Sequence, residues 1–588
     1  MLRRALIGGS VALAILALVL WAVLQERFGP SRQPALQTDM PLLSEVTKPG
    51  LSSQSGENQS ATGQTQAQSS QGSGKPMQAN GNSVTSSQTS PTIGMVVGEE
   101  ITEQAREMNS SKFAAPPKQF RPGHANRSQR QVKLDRQKNG FSIQFPSGAP
   151  IATPTVYQGK LYVSGGFRSR EYYCFDAKTG DLLWTVDLSD DGPSLAVCED
   201  DIVVFNTESC TLFALDAKTG KHLWSHWLGD PLTSAPAIAN GIVFTSYPAA
   251  GRFADGDESG IPPPFQNIIG PTIGPAAPPS NAKTDKEPPK ASHVLAAFEL
   301  KTGKILWQRW IDSDVISAPV CVGDEVCVTS FGGTVYRFRQ KNGEVLAAHR
   351  CRATSAPTIA NNQMYWSQRA DQKGQVAEAV VGVDAAKNSV RLFGNLRAAP
   401  YLDARVQMLS ALQKELQSLD AANGFAGGAP QAANAQAAFS NVGQSSVSGM
   451  QFFQGSRVLY FRNQLYSSMG DELVCLEAQN GQERWRYKVK GDLHKQGGHL
   501  AAPPAVAGGK IVLATLAGEV LLLDPEKGTV THTYNVGAPI RSQPAIVEGR
   551  IYVGTQNGRL VCIDTGDPSL TGWYTWGGDM AHSNAARE

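Results

Sequence analysis

Asp176–Trp184 reads DAKTGDLLW and Asp216–Trp224 reads DAKTGKHLW, one nine-residue phrase repeated at a spacing of 40 residues. Recurrence at a fixed period in this range marks a repeat architecture, and it governs how every other segment is assigned. Short apolar segments ending at an equivalent position extend the register: YYCFD to Asp176, LFALD to Asp216, LAAFE to Glu299, VYRFR to Arg339, VVGVD to Asp384, LVCLE to Glu477, VLLLD to Asp524 and LVCID to Asp564. The steps between them are 40, 83, 40, 45, 93, 47 and 40 residues. The chain therefore holds eight units of about 40 residues, two of them lengthened by insertions.

Each unit reads as four short strands. The last runs PAIVEG, RIYVGTQNG and RLVCID, with Gly549 and Asn557-Gly558 where hairpins require positive φ. In the repeated phrase the Asp accepts hydrogen bonds from the turn, Gly180 takes the left-handed position, and Trp184 supplies a flat ring to pack between neighbouring units. The same spacing recurs at Gly220 and Trp224, Gly303 and Trp307, and Gly481 and Trp485, while Ala347 and His532 stand where the ring is lost. Four-stranded units of this length predict an all-β, eight-bladed β-propeller of antiparallel blades over residues 141–576. QKNGFSIQF at Gln137–Phe145 mirrors QKNGEVLAAH at Gln340–His349, so Phe141–Phe145 is expected to supply the last blade's outer strand. Gly572–Trp576 is the competing strand for that place, and residues 577–588 read as a C-terminal tail.

The phrase AKTGxxxW preceded by Asp or Glu resembles the tryptophan-docking repeat of pyrroloquinoline-quinone (PQQ) type propellers, over roughly residues 140–576. The resemblance implies the fold but leaves the function open, because that family holds quinoprotein dehydrogenases and also a BamB-like non-enzymatic branch. The dehydrogenases carry an adjacent Cys-Cys disulfide, a calcium site of acidic and amide side chains, and a catalytic Asp. Here no two of the eight cysteines are adjacent. Cys174, Cys475 and Cys562 fall where Ala214, Ala297 and Leu522 stand in other units, which reads as buried small apolar residues. Cys321 and Cys327 flank a tight turn, and an exported location leaves a cross-strand disulfide between them open. ADGDESG at Ala254–Gly260 opens like a calcium loop, but Gln266 stands where the bidentate Glu belongs, so it is read as an acidic loop. No catalytic, cofactor-binding or metal-binding residue is assigned; PQQ with calcium enters only with the oxidoreductase reading.

Ala5–Leu24 forms an uncharged, mostly apolar run behind Arg3 and Arg4, long enough to cross a bilayer as a helix and without a cleavage site after it. The expectation is a cytoplasmic tip at 1–4, a single-pass signal anchor at 5–24 with its N-terminus inside, and an extracytoplasmic, periplasmic propeller. Residues 25–140 read as a disordered low-complexity linker, Ser52–Ser90 being largely Ser, Gln, Gly, Asn and Thr. Its end carries Lys118, Arg121, Arg127, Arg130, Lys133 and Arg136 against Asp135, read as a solvated basic stretch. The formal net charge of +2 gives no push toward nucleic acid, and a monomeric propeller is expected.

Residues just before the first strand of a unit face the channel mouth in this fold, which singles out Arg352, His499 and Arg541 as a cationic interaction surface. The insertions are the other candidates: the Pro- and Gly-rich loop 249–292, and residues 396–450, where Leu402, Val406, Leu409, Leu412 and Leu416 share one face of an amphipathic helix. The functional expectation is a membrane-anchored scaffold that binds a protein partner in the cell envelope. A quinone-dependent oxidoreductase and an envelope ligand-binding or sensory propeller are the alternatives.

Overall fold

The structure, a computed structural model, describes residues 98–111, 120–370 apart from 167–168, 208–210, 229–233 and 249–292, 376–399 apart from 385–388 and 393–396, 457–493, and 499–584. All lie in one compact unit, Leu43–Glu588. The expected anchor at 5–24, the Ala254–Gly260 loop and the helix bearing Leu402, Val406, Leu409, Leu412 and Leu416 lie outside the described residues. Among the described residues no helix is long and apolar enough to cross a membrane.

Eight antiparallel sheets follow one another along the chain, one per sequence unit. Blade 1 is built from Thr155–Tyr157, Lys160–Ser164, Glu171–Asp176 and Leu182–Leu188, running from the inner strand outward. Blades 2 to 8 repeat the plan at 197–227, 237–311, 320–350, 358–392, 458–488, 505–535 and 545–564. Both faces of a blade pack on neighbours, so its central strands are buried: Ile202–Asn206 is buried at every position.

The tryptophans fix blade to blade, and the partner glycine belongs to the next blade. Trp184 lies against Gly220, Trp224 against Gly303, Trp307 against Gly343 and Trp485 against Gly528, where a Cβ would meet the ring at 2.4–2.7 Å. Each indole N–H donates to the carbonyl of the residue after the acidic or equivalent position: Trp184 to Ala217 at 3.2 Å, Trp224 to Leu300 at 2.8 Å, Trp307 to Gln340 at 2.7 Å and Trp485 to Pro525 at 2.8 Å. Burial and one satisfied polar tip together make each ring a directional lock.

Ring closure falls to the N-terminal side. Gly140–Gln144 pairs antiparallel with Arg559–Asp564 as the fourth strand of blade 8, and Lys133–Gln137 adds a fifth. Phe141 stands opposite Cys562 as Trp184 stands opposite Cys174, and its ring meets Gly180 as the tryptophans meet their glycines.

Two expectations are corrected. The linker expected over 25–140 gives way, at 98–111 and 120–140, to a belt that runs round the rim against the order of the blades. Glu99–Glu100 pairs with the outer strand of blade 4, and helix Thr102–Met108 follows, burying Ile101, Ala105 and Met108. Asn109 then exchanges amide hydrogen bonds with the Trp310 backbone on blade 3, Arg121 bridges Trp227 on blade 2, and Ala125–Arg127 pairs with Val186–Leu188 on blade 1. An outer strand exposes a row of backbone donors and acceptors, and a polar segment satisfies them through its own backbone without needing an apolar sequence. Basic residues of the belt are used in the same way: Arg130 pairs with the buried Glu171 at 2.9 Å, and Arg121 lies over the Trp227 ring.

The second correction concerns 577–584 of the tail expected over 577–588. Residues 573–584 form a plug across the axis, with Trp573, Trp576 and His582 fully buried. Plug carbonyls accept from inner-strand N–H groups of four blades: Trp573 from Ile546 at 2.5 Å, Tyr574 from Val156 at 2.9 Å, Met580 from Ile238 at 3.2 Å and Ala581 from Cys321 at 2.8 Å. Asn584 donates its amide to Thr358 and to the Val458 carbonyl, which adds blades 5 and 6. The inner strands are edges too, and the plug is what covers them. Gly572–Trp576, the competing candidate for the outer strand, thus lies on the axis.

Candidate functional site

The outer strand of each blade hands over to the inner strand of the next at one mouth of the propeller. Arg352, His499 and Arg541 lie in the hand-over loops into blades 5, 7 and 8. The structure brings His499 and Arg541 close enough that the Arg541 charge acts on the imidazole, and it adds two residues that the sequence reading did not single out, Glu378 and Arg457.

Arg457 leads into the inner strand of blade 6 and Glu378 lies on the third strand of blade 5; both are essentially unexposed. The guanidinium spans the carboxylate with two bonds, Nη1 to Oε2 at 3.1 Å and Nη2 to Oε1. Nη2 also donates to the Thr354 hydroxyl at 2.8 Å and to its carbonyl at 3.2 Å, and the Thr354 hydroxyl donates to Glu378. A bidentate pair with its remaining valences met is the arrangement in which buried opposite charges hold their place. It fastens the loop from Arg352 to Thr354 to blade 6.

His499 Nε2 lies 2.7 Å from Arg457 Nη1, and Nδ1 accepts from the Gly470 N–H at 3.1 Å. Both neighbours are donors, so an imidazolium, a donor at both nitrogens, finds no acceptor there. Burial first, then the Arg457 and Arg541 charges, hold the His499 pKa well below the ordinary histidine range. Arg541 is half-buried, whereas Arg352 is exposed at φ +56°, its carbonyl accepting the Arg369 N–H at 3.0 Å. The mouth thus consists of a locked, neutral histidine and a buried ion pair beneath an exposed arginine.

In the loop into blade 4, next in the ring to the one that carries Arg352, Asp314 accepts from Ser246 at 2.8 Å and from the Val315 N–H at 2.7 Å. This carboxylate also ties neighbouring segments. Among the described residues no three His, Cys, Asp or Glu side chains converge as a metal site. Glu378 is engaged by Arg457 and Thr354.

The cysteines resolve separately. Cys321 and Cys327 are both free thiols. In their hairpin Cys321 stands opposite Val326 and Cys327 opposite Val320, which places the two sulfurs on opposite faces of the blade. Cys174, Cys475 and Cys562 are buried, and burial pushes each thiol up to about 12.

Sequence reasoning missed Glu378 and Arg457 because they are 79 residues apart. Two signals were present: Glu378 interrupts the apolar strand Ala377–Asp384, and Arg457 stands two residues before Leu459, where blade 5 has Ala356 before Thr358.

The family model described as outer membrane protein assembly factor BamB matches residues 129–259, 290–428 and 435–575. No curated protein matches the chain. Among solved structures, BamB from Moraxella catarrhalis is 13% identical over 75% of this chain and 95% of its own, at a TM-score of 0.40. The computationally designed protein Ika8 is 13% identical over 72% of this chain and 98% of its own, at 0.45. Quinohemoprotein alcohol dehydrogenase from Comamonas testosteroni is 11% identical over 74% of this chain and 77% of its own, at 0.42. The three matched segments span most of the chain, and on that match this PQQ-like propeller belongs to the BamB family.

Proposed function

We propose that this chain is a non-enzymatic interaction propeller of the cell envelope, held to a membrane by Ala5–Leu24 and presenting its mouth, with Arg352 outermost, to a protein partner. The observation that carries the reading is the BamB family match through three consecutive segments of the ring. The mouth supports it physically: a buried ion pair fixes the loop that carries Arg352, and a surface already ordered loses little freedom on binding. The test is affinity purification of the full chain from cells after cross-linking, beside an Arg352→Glu variant. A defined envelope protein captured by the native chain and reduced severalfold in the variant is expected. No enriched protein, or stoichiometric quinone uptake with calcium-dependent dye reduction by the purified chain, overturns the reading in favour of the oxidoreductase.

A further inference from the structure

The junction between blades 7 and 8 departs from the tryptophan lock in three linked ways. In the register of the blades, His532 stands opposite Leu522 as Trp485 stands opposite Cys475, so the slot holds a shorter ring, and its Nδ1 is buried without a hydrogen-bond partner among the described residues. The turn that would cover the ring is split. Blade 8 takes its outer strand from the other end of the chain, and Asn139, whose carbonyl accepts from Asp564, faces Thr565 and Gly566 across the gap. A cavity of about 310 Å³ opens there, lined by Lys138, Asn139, Tyr534, Asp564, Thr565 and Gly566.

The acceptor of the lock is nevertheless present. Thr565 follows Asp564 as Ala217, Leu300, Gln340 and Pro525 follow their acidic or equivalent residues, and in each of those blades that carbonyl receives an indole N–H. The Thr565 N–H and hydroxyl both turn to the Gly549 carbonyl, at 2.9 and 2.7 Å, while its own carbonyl receives no hydrogen bond from the described residues. Tyr534, on the same strand face as His532 and stacked parallel to it at 13°, supplies an aromatic wall, and exposed Lys138 stands at the entrance. Aromatic wall, cation and waiting acceptor define what fits: a flat ring carrying an N–H.

We infer that this split junction is a docking cleft for a tryptophan side chain on an extended segment of a partner protein, its indole N–H donating to the Thr565 carbonyl. The inference rests on the interaction-propeller reading above and names a second contact point on the rim. The occupant is argued from the chain itself, which fills four equivalent slots with tryptophan and bonds each to the equivalent carbonyl.

The test uses the full chain and acetyl-Val-Trp-Val-amide, followed by saturation-transfer NMR and calorimetry. The peptide is expected to bind with a dissociation constant on the order of 1 mM, as suits a single buried ring. Its 1-methyl-tryptophan analogue, lacking the donor, binds about fivefold more weakly. His532→Trp fills the slot from within and abolishes binding; Tyr534→Ala, which removes the wall without adding bulk, weakens it severalfold. Absence of binding to the native chain, or binding to either variant equal to the native, overturns the inference. Because the peptide is a defined probe, failure here leaves the Arg352 capture result standing, and failure of that capture leaves this one.

Discussion

The backbone N–H of Cys321 donates to the carbonyl of Ala581 at 2.8 Å, joining the inner strand of blade 4 to the plug. The plug is therefore part of the sheet system, and its rings are core. Trp576→Ala should cost about 3–5 kcal/mol, the usual range for deleting a fully buried large ring. Urea unfolding measures it; a loss below about 1 kcal/mol would mean that the plug is an ornament.

The blade locks make a sharper comparison. Gly220 and Gly537 share a left-handed conformation, at φ +71° and +72°, but a Cβ on Gly220 meets the Trp184 ring at 2.7 Å while one on Gly537 meets nothing within 4 Å. Both alanine variants carry the left-handed strain of about 1–2 kcal/mol. Gly220→Ala should lose about 1–3 kcal/mol more, the cost of overpacking. Equal losses in chemical denaturation would remove the lock from the account.

The Glu378–Arg457 pair predicts non-additivity. Glu378→Gln or Arg457→Met alone strands a buried charge and should cost about 3–5 kcal/mol. The combination Glu378→Leu with Arg457→Met should recover much of that loss, since no charge then remains buried unpaired. A strictly additive double-mutant cycle would show that the two groups act independently.

Stability should fall on acidification through the histidines. Burial lowers the pKa of His222, His226, His293, His499 and His582, the last to about 3. Unfolded histidine titrates near 6.5, so below that pH the unfolded chain binds protons that the folded chain refuses. The contribution is complete above about pH 6.5 and is lost as pH falls, at about 1.4 kcal/mol per pH unit for each histidine still neutral in the fold. Denaturation between pH 6 and 5 should show this slope, and His582→Phe should reduce it by one proton's worth; an unchanged slope in the variant would count against a neutral buried ring.

Thiol chemistry offers an independent check on packing. Burial holds Cys198 and Cys321 well above the ordinary thiol range and brings Cys327 and Cys351 to about 12. Together with Cys174, Cys475 and Cys562 they should resist iodoacetamide in the native state and react fully in urea. Mass spectrometry reads both, and a Cys321–Cys327 linked peptide would contradict the hairpin register.

Local grammar made the ring legible. The turn acid, the left-handed glycine and the tryptophan lie within nine residues of one another, so Gly180, Trp184, Gly220, Trp224, Gly303, Trp307 and Trp485 announced the blades. The match of Gln137–Phe145 to Gln340–His349 located the closing strand for the same reason. The belt's paired segments were illegible because Glu99–Glu100 and Ala125–Arg127 bond through backbone atoms, which leave no hydrophobic period; Ile101, Ala105 and Met108 do stand at helical spacing, but three positions are too few to mark a helix. Residues 573–584 occur once and have no repeat to align with. At the mouth, Arg352, His499 and Arg541 were found by position in the repeat, but Glu378 and Arg457 recognise each other across 79 residues, a pairing that no window of local sequence contains.

The central claim is that the Arg352 mouth meets a protein. The direct measurement is site-specific photo-cross-linking in cells, with a photoreactive residue at position 352 of the full chain and, for comparison, at the exposed Lys527 on the outer turn of blade 7. The account predicts one dominant adduct from position 352, identified by mass spectrometry as a single envelope protein and absent from position 527. No adduct at 352, or the same spread of adducts from both positions, would contradict it.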